Sequence, residues 1–167
     1  AAVAALEGIG PRALPALADA LREGEASAVI ALAGVVGQAG GEEAVALLEP
    51  LVENAGTNIA AAAISALGRT RHPGATAILL RELGAGDEWL RFARVGALGE
   101  LGDARAVPAL EKLLNETLME EAAATALEEI ASVEAVTALA KNLRDADGRF
   151  RPRVLAALVS LSEEERT

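Results

Sequence analysis

Cysteine and tyrosine are absent from this 167-residue sequence, and its aromatic residues are Trp89, Phe92 and Phe150. Without cysteine the chain can form no disulfide, thiolate nucleophile or iron–sulfur site. A reducing compartment is compatible with this composition, so we expect a cytoplasmic protein. The longest uncharged segments, 26–41 and 54–68, are shorter than the roughly 18–20 residues that span a bilayer. The first residues lack the pattern of a signal peptide, and we expect neither a signal peptide nor a membrane partner.

The charged residues are unequally divided, with 25 acidic side chains against 15 basic ones and a net charge of −10. Such a surface repels phosphate backbones on average, which argues against nucleic acid as a partner. Apolar residues make up 52% of the chain. Most are alanine, leucine and valine, and alanine and leucine are strong helix formers. The composition therefore predicts an all-α fold.

A pattern of small and apolar residues returns about every 31 positions. Gly37, Gly68 and Gly99 are spaced by this interval. An alanine and two further apolar sites return in five successive units: Ala13, Ala44, Ala75, Ala106 and Ala135; Leu17, Leu48, Leu79, Leu110 and Leu139; Leu21, Val52, Leu83, Leu114 and Leu143. A fixed period of this length is typical of a solenoid, in which each unit stacks on the next.

Each unit reads as two helices, and the fourth unit shows the pattern most clearly. Its first helix is "EWLRFARVGALGEL", with Asp87 at the N-cap position, and its second is "RAVPALEKLL", capped by Asp103. Ser27 and Asn58 (or Thr57) stand near the matching cap positions of units two and three.

The second helix of each unit carries two further predictions. In the fourth unit the spacing turns Val107, Leu110 and Leu114 towards the core. In the second unit Pro50 falls late in the helix, which we expect to kink or end there.

The stretch "ALGELGDARAVPALEKLL" (97–114), with "LRFAR" before it, resembles the HEAT-like repeat of phycobilisome lyase subunits and of many bacterial scaffold proteins. The segment "IGPRALPALADAL" (9–21) is the next closest match. The resemblance implies an α-α superhelix, a HEAT-like solenoid of about five helix pairs plus a partial terminal unit. Because proteins with unrelated roles share this repeat, it implies a fold and not a function.

We predict one domain over residues 1–167 and divide it into units of similar length. Their approximate bounds are 1–26, 27–56, 57–86, 87–117, 118–146 and a partial unit 147–167. The first unit begins midway through its first helix and the last lacks a second helix. We therefore expect the chain to be a fragment of a longer protein.

No group of residues in the sequence has the pattern of a catalytic or metal site. The single histidine, His72, falls in a turn without an orienting partner or a nucleophile. The acidic pairs 42–43, 120–121 and 128–129 place their side chains about 100° apart on a helix, which prevents joint chelation. We predict no enzymatic activity, no cofactor, no metal and no small-molecule ligand.

The candidate partner site is the face of the second helices, which we expect to line the inner, concave side of the stack. Its outward positions carry more basic than acidic side chains, although the whole chain is acidic. We predict that this face binds an acidic segment of another protein. The site residues are Arg81, Arg105, Lys112, Lys141 and Arg144, with Trp89 as an additional anchor. In the alternative interpretation these charges are simply solvated, and Arg105 pairs with the turn carboxylate of its own or the next repeat.

Two other functions stay open as alternatives to a protein-binding scaffold. The family resemblance implies a bilin lyase or isomerase subunit that acts on a phycobiliprotein. Nucleic-acid binding is less favoured, and the segment "RDADGRFRPRV" (144–154) is its best argument, since four arginines surround Phe150. We prefer to interpret Phe150 as a core residue, because it aligns with Leu90.

Overall fold

The computed structural model describes residues 14–142 together with Leu155 and Val159. Within 14–142 all regular structure is helical and no strand is present. The α-helices are α1 (Leu14–Glu23), α2 (Ala26–Ala39), α3 (Gly41–Asn54), α4 (Thr57–Arg69), α5 (Pro73–Arg81), α6 (Glu88–Leu101), α7 (Val107–Leu113), α8 (Glu120–Ile130) and α9 (Val133–Asn142). A short 3-10 turn, Ala104–Ala106, precedes α7.

The helix ends follow the predicted caps in the fourth unit but not in the two before it. Asp87 Oδ1 accepts a hydrogen bond from the Leu90 amide at 2.9 Å, and Asp103 Oδ1 accepts one from the Arg105 amide at 3.0 Å. The predicted caps of units two and three are wrong, because α2 starts after Glu25 and α4 starts after Gly56. Neither of those two residues gives a side-chain cap.

The sequence predicted that the helix kinks or ends at Pro50, and the second of these outcomes is wrong. The α3 helix continues through Pro50 to Asn54. A proline inside a helix removes one amide donor and crowds the preceding turn, but the rest of the helix can still hold it in place. Here the last turn of α3 is held by Val52, which is buried in the core.

The helices form two layers, as expected for the predicted all-α solenoid. The first-helix layer consists of α2, α4, α6 and α8, and the second-helix layer of α1, α3, α5, α7 and α9. The repeated alanine and leucine positions of the second helices are buried between the layers: Ala44, Ala75, Ala106 and Ala135; Leu17, Leu48, Leu79, Leu110 and Leu139. Val107, Leu110 and Leu114 also face the core, as predicted. Ala13 and Leu143 lie outside the described residues.

Glycines set the spacing within the first-helix layer. A methyl group added at Gly37 would lie 2.8 Å from Cα of Ala66, and one added at Gly99 would lie 2.8 Å from Cα of Ala126. At Gly68 the corresponding distance to Cα of Ala97 is 3.1 Å. Any larger residue at these positions would collide with the next helix, so successive first helices are in backbone-to-backbone contact.

The second helices are more widely spaced, and this difference gives the direction of curvature. Successive first helices contact each other along much of their length, whereas successive second helices touch at few residues. A two-layer stack bends towards its more closely spaced layer. The first-helix layer therefore lines the inner side, and the prediction that the second helices line the concave face is wrong.

Candidate protein-binding surface

The exposed side of the first-helix layer, here called the first-helix face, carries large apolar side chains in its fourth and fifth units. Trp89 is 66% exposed, and Leu118, which stands at the corresponding position one unit later, is 65% exposed. Phe92, one turn after Trp89, is 37% exposed. The corresponding positions of the third unit hold Asn58 and Ala61. In the second unit Ile30 stands at the position of Phe92 and is also 37% exposed. The two most exposed large side chains of the face, Trp89 and Leu118, nevertheless lie together in the fourth and fifth units.

A groove runs between α6 and α8 beside this apolar surface. It encloses about 590 Å³. Its lining comes from Phe92, Gly96, Gly99 and Glu100 on α6, and from Ala122, Thr125, Ala126 and Glu129 on α8. Because half of these residues are glycine or alanine, no large side chain fills the groove. The glycine and alanine that bring the two helices together also form part of its lining.

Two carboxylates lie at one end of the groove. Glu100 and Glu129 occupy equivalent positions in the last turns of α6 and α8. Each reaches back over the preceding helix, Glu100 towards Gly68 and Glu129 towards Gly99. Partial burial raises the pKa of the Glu129 carboxyl, and the negative charges of Glu100 and Glu128 raise it further. Binding a positive charge here would relieve the repulsion between the carboxylates.

Two arginines of α6 hold the loops that precede α6 and α8, next to Trp89 and Leu118 in sequence. The Arg94 side chain is buried, and its Nη1 donates a hydrogen bond to the carbonyl of Ala85 at 2.6 Å, in the loop before α6. Burial lowers the pKa of Arg94. Arg91 forms an ion pair with Glu116, at 2.7 Å, in the loop before α8. These arginines belong to the "LRFAR" motif, but the sequence did not reveal their role.

Two models of repeat families match adjoining parts of the chain. The model described as HEAT repeats matches residues 53–121, and the model described as PBS lyase HEAT-like repeat matches residues 121–145. Together they span more than half of the sequence and include the groove. The chain belongs to the HEAT-like repeat family. Its predicted fold class, a HEAT-like α-α solenoid, is confirmed.

Comparison with characterised proteins adds little to this HEAT-like repeat assignment. A search of curated proteins found no significant match to the chain. Among solved structures, human deoxyhypusine hydroxylase in complex with glycerol is similar at 17% identity and a TM-score of 0.44. That alignment covers 97% of this chain and 89% of the human protein.

The predicted partner residue Arg81 is already engaged by acidic side chains of the HEAT-like stack. Its Nη2 lies 3.0 Å from Glu49 Oε1 and also contacts Glu53, while its Nε lies 3.1 Å from Glu82 Oε1. These contacts raise the pKa of the guanidinium, the hydrogen bond to Glu49 most and the one to Glu82 next. Arg81 therefore contributes little free positive charge to the second-helix face.

The other predicted site residues are divided between paired, exposed and undescribed positions. Arg105 pairs with Asp103 and donates a hydrogen bond to the Pro73 carbonyl at 2.8 Å, which agrees with the alternative interpretation of its role. Lys141 Nζ lies 3.4 Å from Glu111 Oε1. Lys112 is exposed, and Arg144 lies outside the described residues, as does the segment 144–154. Trp89 stands on the opposite layer, so the structure does not unite these residues in one surface.

The sequence prediction missed Glu49, Glu82 and Glu111, whose carboxylates pair with the bases of the second-helix face. Glu49 lies 32 residues before Arg81, and Glu111 lies 30 residues before Lys141. Stacking of successive units brings each of these pairs together. The 31-residue period was the signal that could have found them: a base at one position should meet acids one unit earlier.

The turn histidine and the candidate metal ligands have structural environments. His72 is the N-cap of α5, and its Nδ1 accepts a hydrogen bond from the Gly74 amide at 3.2 Å. His72 thus caps the second helix of the third unit at the position that Asp103 occupies in the fourth. Across the part of the chain that the structure describes, no group of three or more His, Cys, Asp or Glu residues could hold a metal ion. Within those same residues, no helix is long and apolar enough to cross a bilayer.

Proposed function

We propose that this protein is a non-enzymatic scaffold that binds a partner protein on its first-helix face, in the cytoplasm of a bacterium. The HEAT-like stack supplies a rigid curved support, and its function resides in side chains on that support. The observation that carries the proposal is the exposure of Trp89, Phe92 and Leu118 beside a preformed groove. Exposed aromatic and large apolar residues near a groove are typical anchors of protein interfaces.

The location of the proposed surface differs from the one that the sequence favoured. On the second-helix face, Arg81, Arg105 and Lys141 are paired with acids of the chain itself. An acidic partner segment would have to compete with carboxylates that already neutralise these bases, so little attraction remains for it. The first-helix face offers exposed apolar area for a partner at Trp89, Phe92 and Leu118.

The experiment compares partner capture by three forms of the protein. The native host lysate is passed over the wild-type chain, over Trp89→Ser/Leu118→Ser, and over Val133→Ser. Val133 is a suitable control because its exposure, 68%, is close to that of Trp89 and Leu118. It stands at the start of a second helix, and so outside the first-helix face. Thermal unfolding checks that all three forms fold alike.

We expect a specific partner to bind the wild type and the Val133 variant equally, and the double variant at least tenfold more weakly. Loss of a central aromatic anchor commonly has an effect of this size. Equal binding to all three forms would contradict the proposed surface, and binding lost only with Val133→Ser would place the site on the second helices.

A bilin lyase or isomerase subunit is the second candidate function. It is favoured by one observation, the match of residues 121–145 to a repeat model named for the phycobilisome lyase. The test is direct: the protein is mixed with a free bilin, and its visible absorbance is recorded. A saturable spectral change would favour this candidate over the scaffold, and an unchanged spectrum at high protein concentration would count against it.

A further inference from the structure

The first-helix face changes its charge along the stack. At the equivalent position in the last turn of each first helix stand Gln38, Arg69, Glu100 and Glu129. The face therefore becomes acidic in the fourth and fifth units, where the strongly exposed Trp89 and Leu118 also lie. Arg69 cannot neutralise the acidic end, because its guanidinium lies towards Gly34 on the preceding helix.

The groove itself contains acidic but no basic side chains. Of its eight lining residues, Glu100 and Glu129 are the charged ones. Among the ion pairs found within residues 14–142, none involves either carboxylate, whereas Arg81, Arg91, Arg105 and Lys141 all have acidic partners. These four bases therefore have acidic partners within the stack, whereas neither groove carboxylate has a basic partner among the ion pairs of residues 14–142.

We propose that the groove between α6 and α8 binds a basic, apolar segment of the partner, with a lysine or arginine side chain placed between Glu100 and Glu129. The proposal rests on the proposed function and names the chemistry of its partner. Phe92 forms the apolar wall of the same groove. A segment with both cationic and apolar side chains matches the surface in charge and in polarity.

The geometry of α6 sets the spacing that the segment needs. Phe92 precedes Glu100 by eight residues on one helix, which corresponds to about 12 Å along the axis. An extended segment covers that distance with about four residues. We therefore expect a large apolar residue and a Lys or Arg about four positions apart in an extended ligand, or about eight apart in a helical one.

This charge assignment is opposite to the sequence prediction of an acidic partner segment. The prediction counted bases on the second helices and overlooked the acids that one unit offers to the next. On the first helices the acids of adjacent units instead stand side by side. The resulting surface attracts cations, and its attraction should weaken as salt screens the carboxylates.

The test uses a display library of random 12-residue peptides as the probe. The library is selected on the wild-type protein at low salt, after removal of peptides that also bind Trp89→Ser/Phe92→Ser. Selected peptides are then synthesised and titrated against the wild type, Glu100→Lys/Glu129→Lys, and Glu23→Lys/Glu43→Lys. The last variant makes the same change of charge at exposed acids outside the groove, and thermal unfolding confirms that each variant is folded.

We expect the selected peptides to be rich in Lys or Arg and in large apolar residues at the spacing given above. Their affinity should fall at least tenfold with the Glu100/Glu129 variant and less than threefold with the control. Raising the salt concentration to 0.5 M should weaken binding to the wild type. Selected peptides that are acidic, or that bind the Glu100/Glu129 variant as well as the wild type, would overturn the proposal.

The outcomes separate this proposal from the proposed function. Peptides that require Trp89 and Phe92 but not the two carboxylates would leave the first-helix face as a binding surface and remove only the cationic site. If selection yields no peptide that depends on Trp89 and Phe92, both proposals fail. Concentration-dependent self-association lost in the Glu100/Glu129 variant would identify a second copy of the chain as the occupant, which would contradict a heterologous partner.

Discussion

At the scale of single residues, Asp103 joins two units of the stack. Its carboxylate accepts the Arg105 amide, pairs with the Arg105 guanidinium, and accepts a hydrogen bond from Thr76 Oγ1 at 2.8 Å. Thr76 is buried in α5, one unit earlier. These donors, Arg105 foremost, lower the pKa of Asp103 from 3.8 to about 2. The depressed pKa means that the folded state favours the ionised carboxylate.

The first prediction concerns the pH dependence of the contacts that Asp103 makes with Arg105 and Thr76. Because the folded-state pKa is depressed, the ionised carboxylate stabilises the fold above pH 3.8, and its contribution is lost as the pH falls towards 2. Asp103→Asn should lower the free energy of unfolding by about 1–2 kcal/mol at pH 7. Urea unfolding at pH 7, 4 and 2.5 should show this difference shrinking. A difference that is constant from pH 7 to 2.5 would contradict the prediction.

Sequence reasoning reached one part of this joint and missed the other. The pairing of Arg105 with its own turn carboxylate follows from a spacing of two residues. The Thr76 contact links residues 27 positions apart, and it depends on how one unit is placed on the next. The role of Arg94 was missed for the same reason: its stem is buried, and its guanidinium reaches the loop carbonyl of Ala85.

At the scale of helices, α6 carries two glycines with opposite environments. Gly99 faces α8, where a methyl group would meet Cα of Ala126 at 2.8 Å. Gly96 lies one turn earlier at the groove, and a methyl group there would have no neighbour within 4 Å. The repeat of Gly37, Gly68 and Gly99 was visible in the sequence. The sequence could not show whether the first helices, which carry this glycine, or the second helices, which carry the repeated alanine, are the more closely spaced layer.

The second prediction compares alanine at these two glycines. Gly96→Ala should stabilise the protein by about 0.5–1 kcal/mol, because alanine has the higher helix propensity and the site has room. Gly99→Ala has the same propensity gain but forces α6 and α8 apart. We expect it to destabilise the protein by about 1–2 kcal/mol net. Urea unfolding of both variants measures the difference, and a stabilising Gly99→Ala would show that the two helices can separate without cost.

At the scale of the whole molecule, the two layers differ in spacing, and this difference decides which surface faces inward. The repeat period predicted the layers correctly, and the repeated alanines and leucines that the structure describes are buried, whereas Leu83 is half-buried in the turn after α5. The period alone could not predict the direction of bending, since that depends on the relative spacing of two layers that the sequence describes separately. When the binding face moved from the second helices to the first, its expected charge changed from basic to acidic. The reason is that the bases counted in the sequence lie on the second helices, whereas Glu100 and Glu129 lie on the first.

The last prediction concerns cooperativity along the stack. In a solenoid each unit contacts only its neighbours, so its units unfold together only while their interfaces are strong. Gly68 stands at the middle interface, and its environment leaves no room for a side chain: a methyl group would lie 3.1 Å from Cα of Ala97 and 2.8 Å from Glu100 Oε2. Gly68→Leu should therefore separate α4 from α6 and uncouple residues 26–81 from residues 88–142.

Hydrogen exchange in increasing urea measures this coupling. In the wild type we expect the amides of both halves to become exposed at the same urea concentration. In Gly68→Leu the two halves should open at different concentrations. Ser65→Leu is the matched control, since Ser65 is exposed on the same helix and should accept leucine without separating the layers. If the Gly68 variant instead unfolds in one step, the glycine contact does not carry the coupling, and the remaining contacts between the two halves, which include those of Asp103 and Arg105, transmit it.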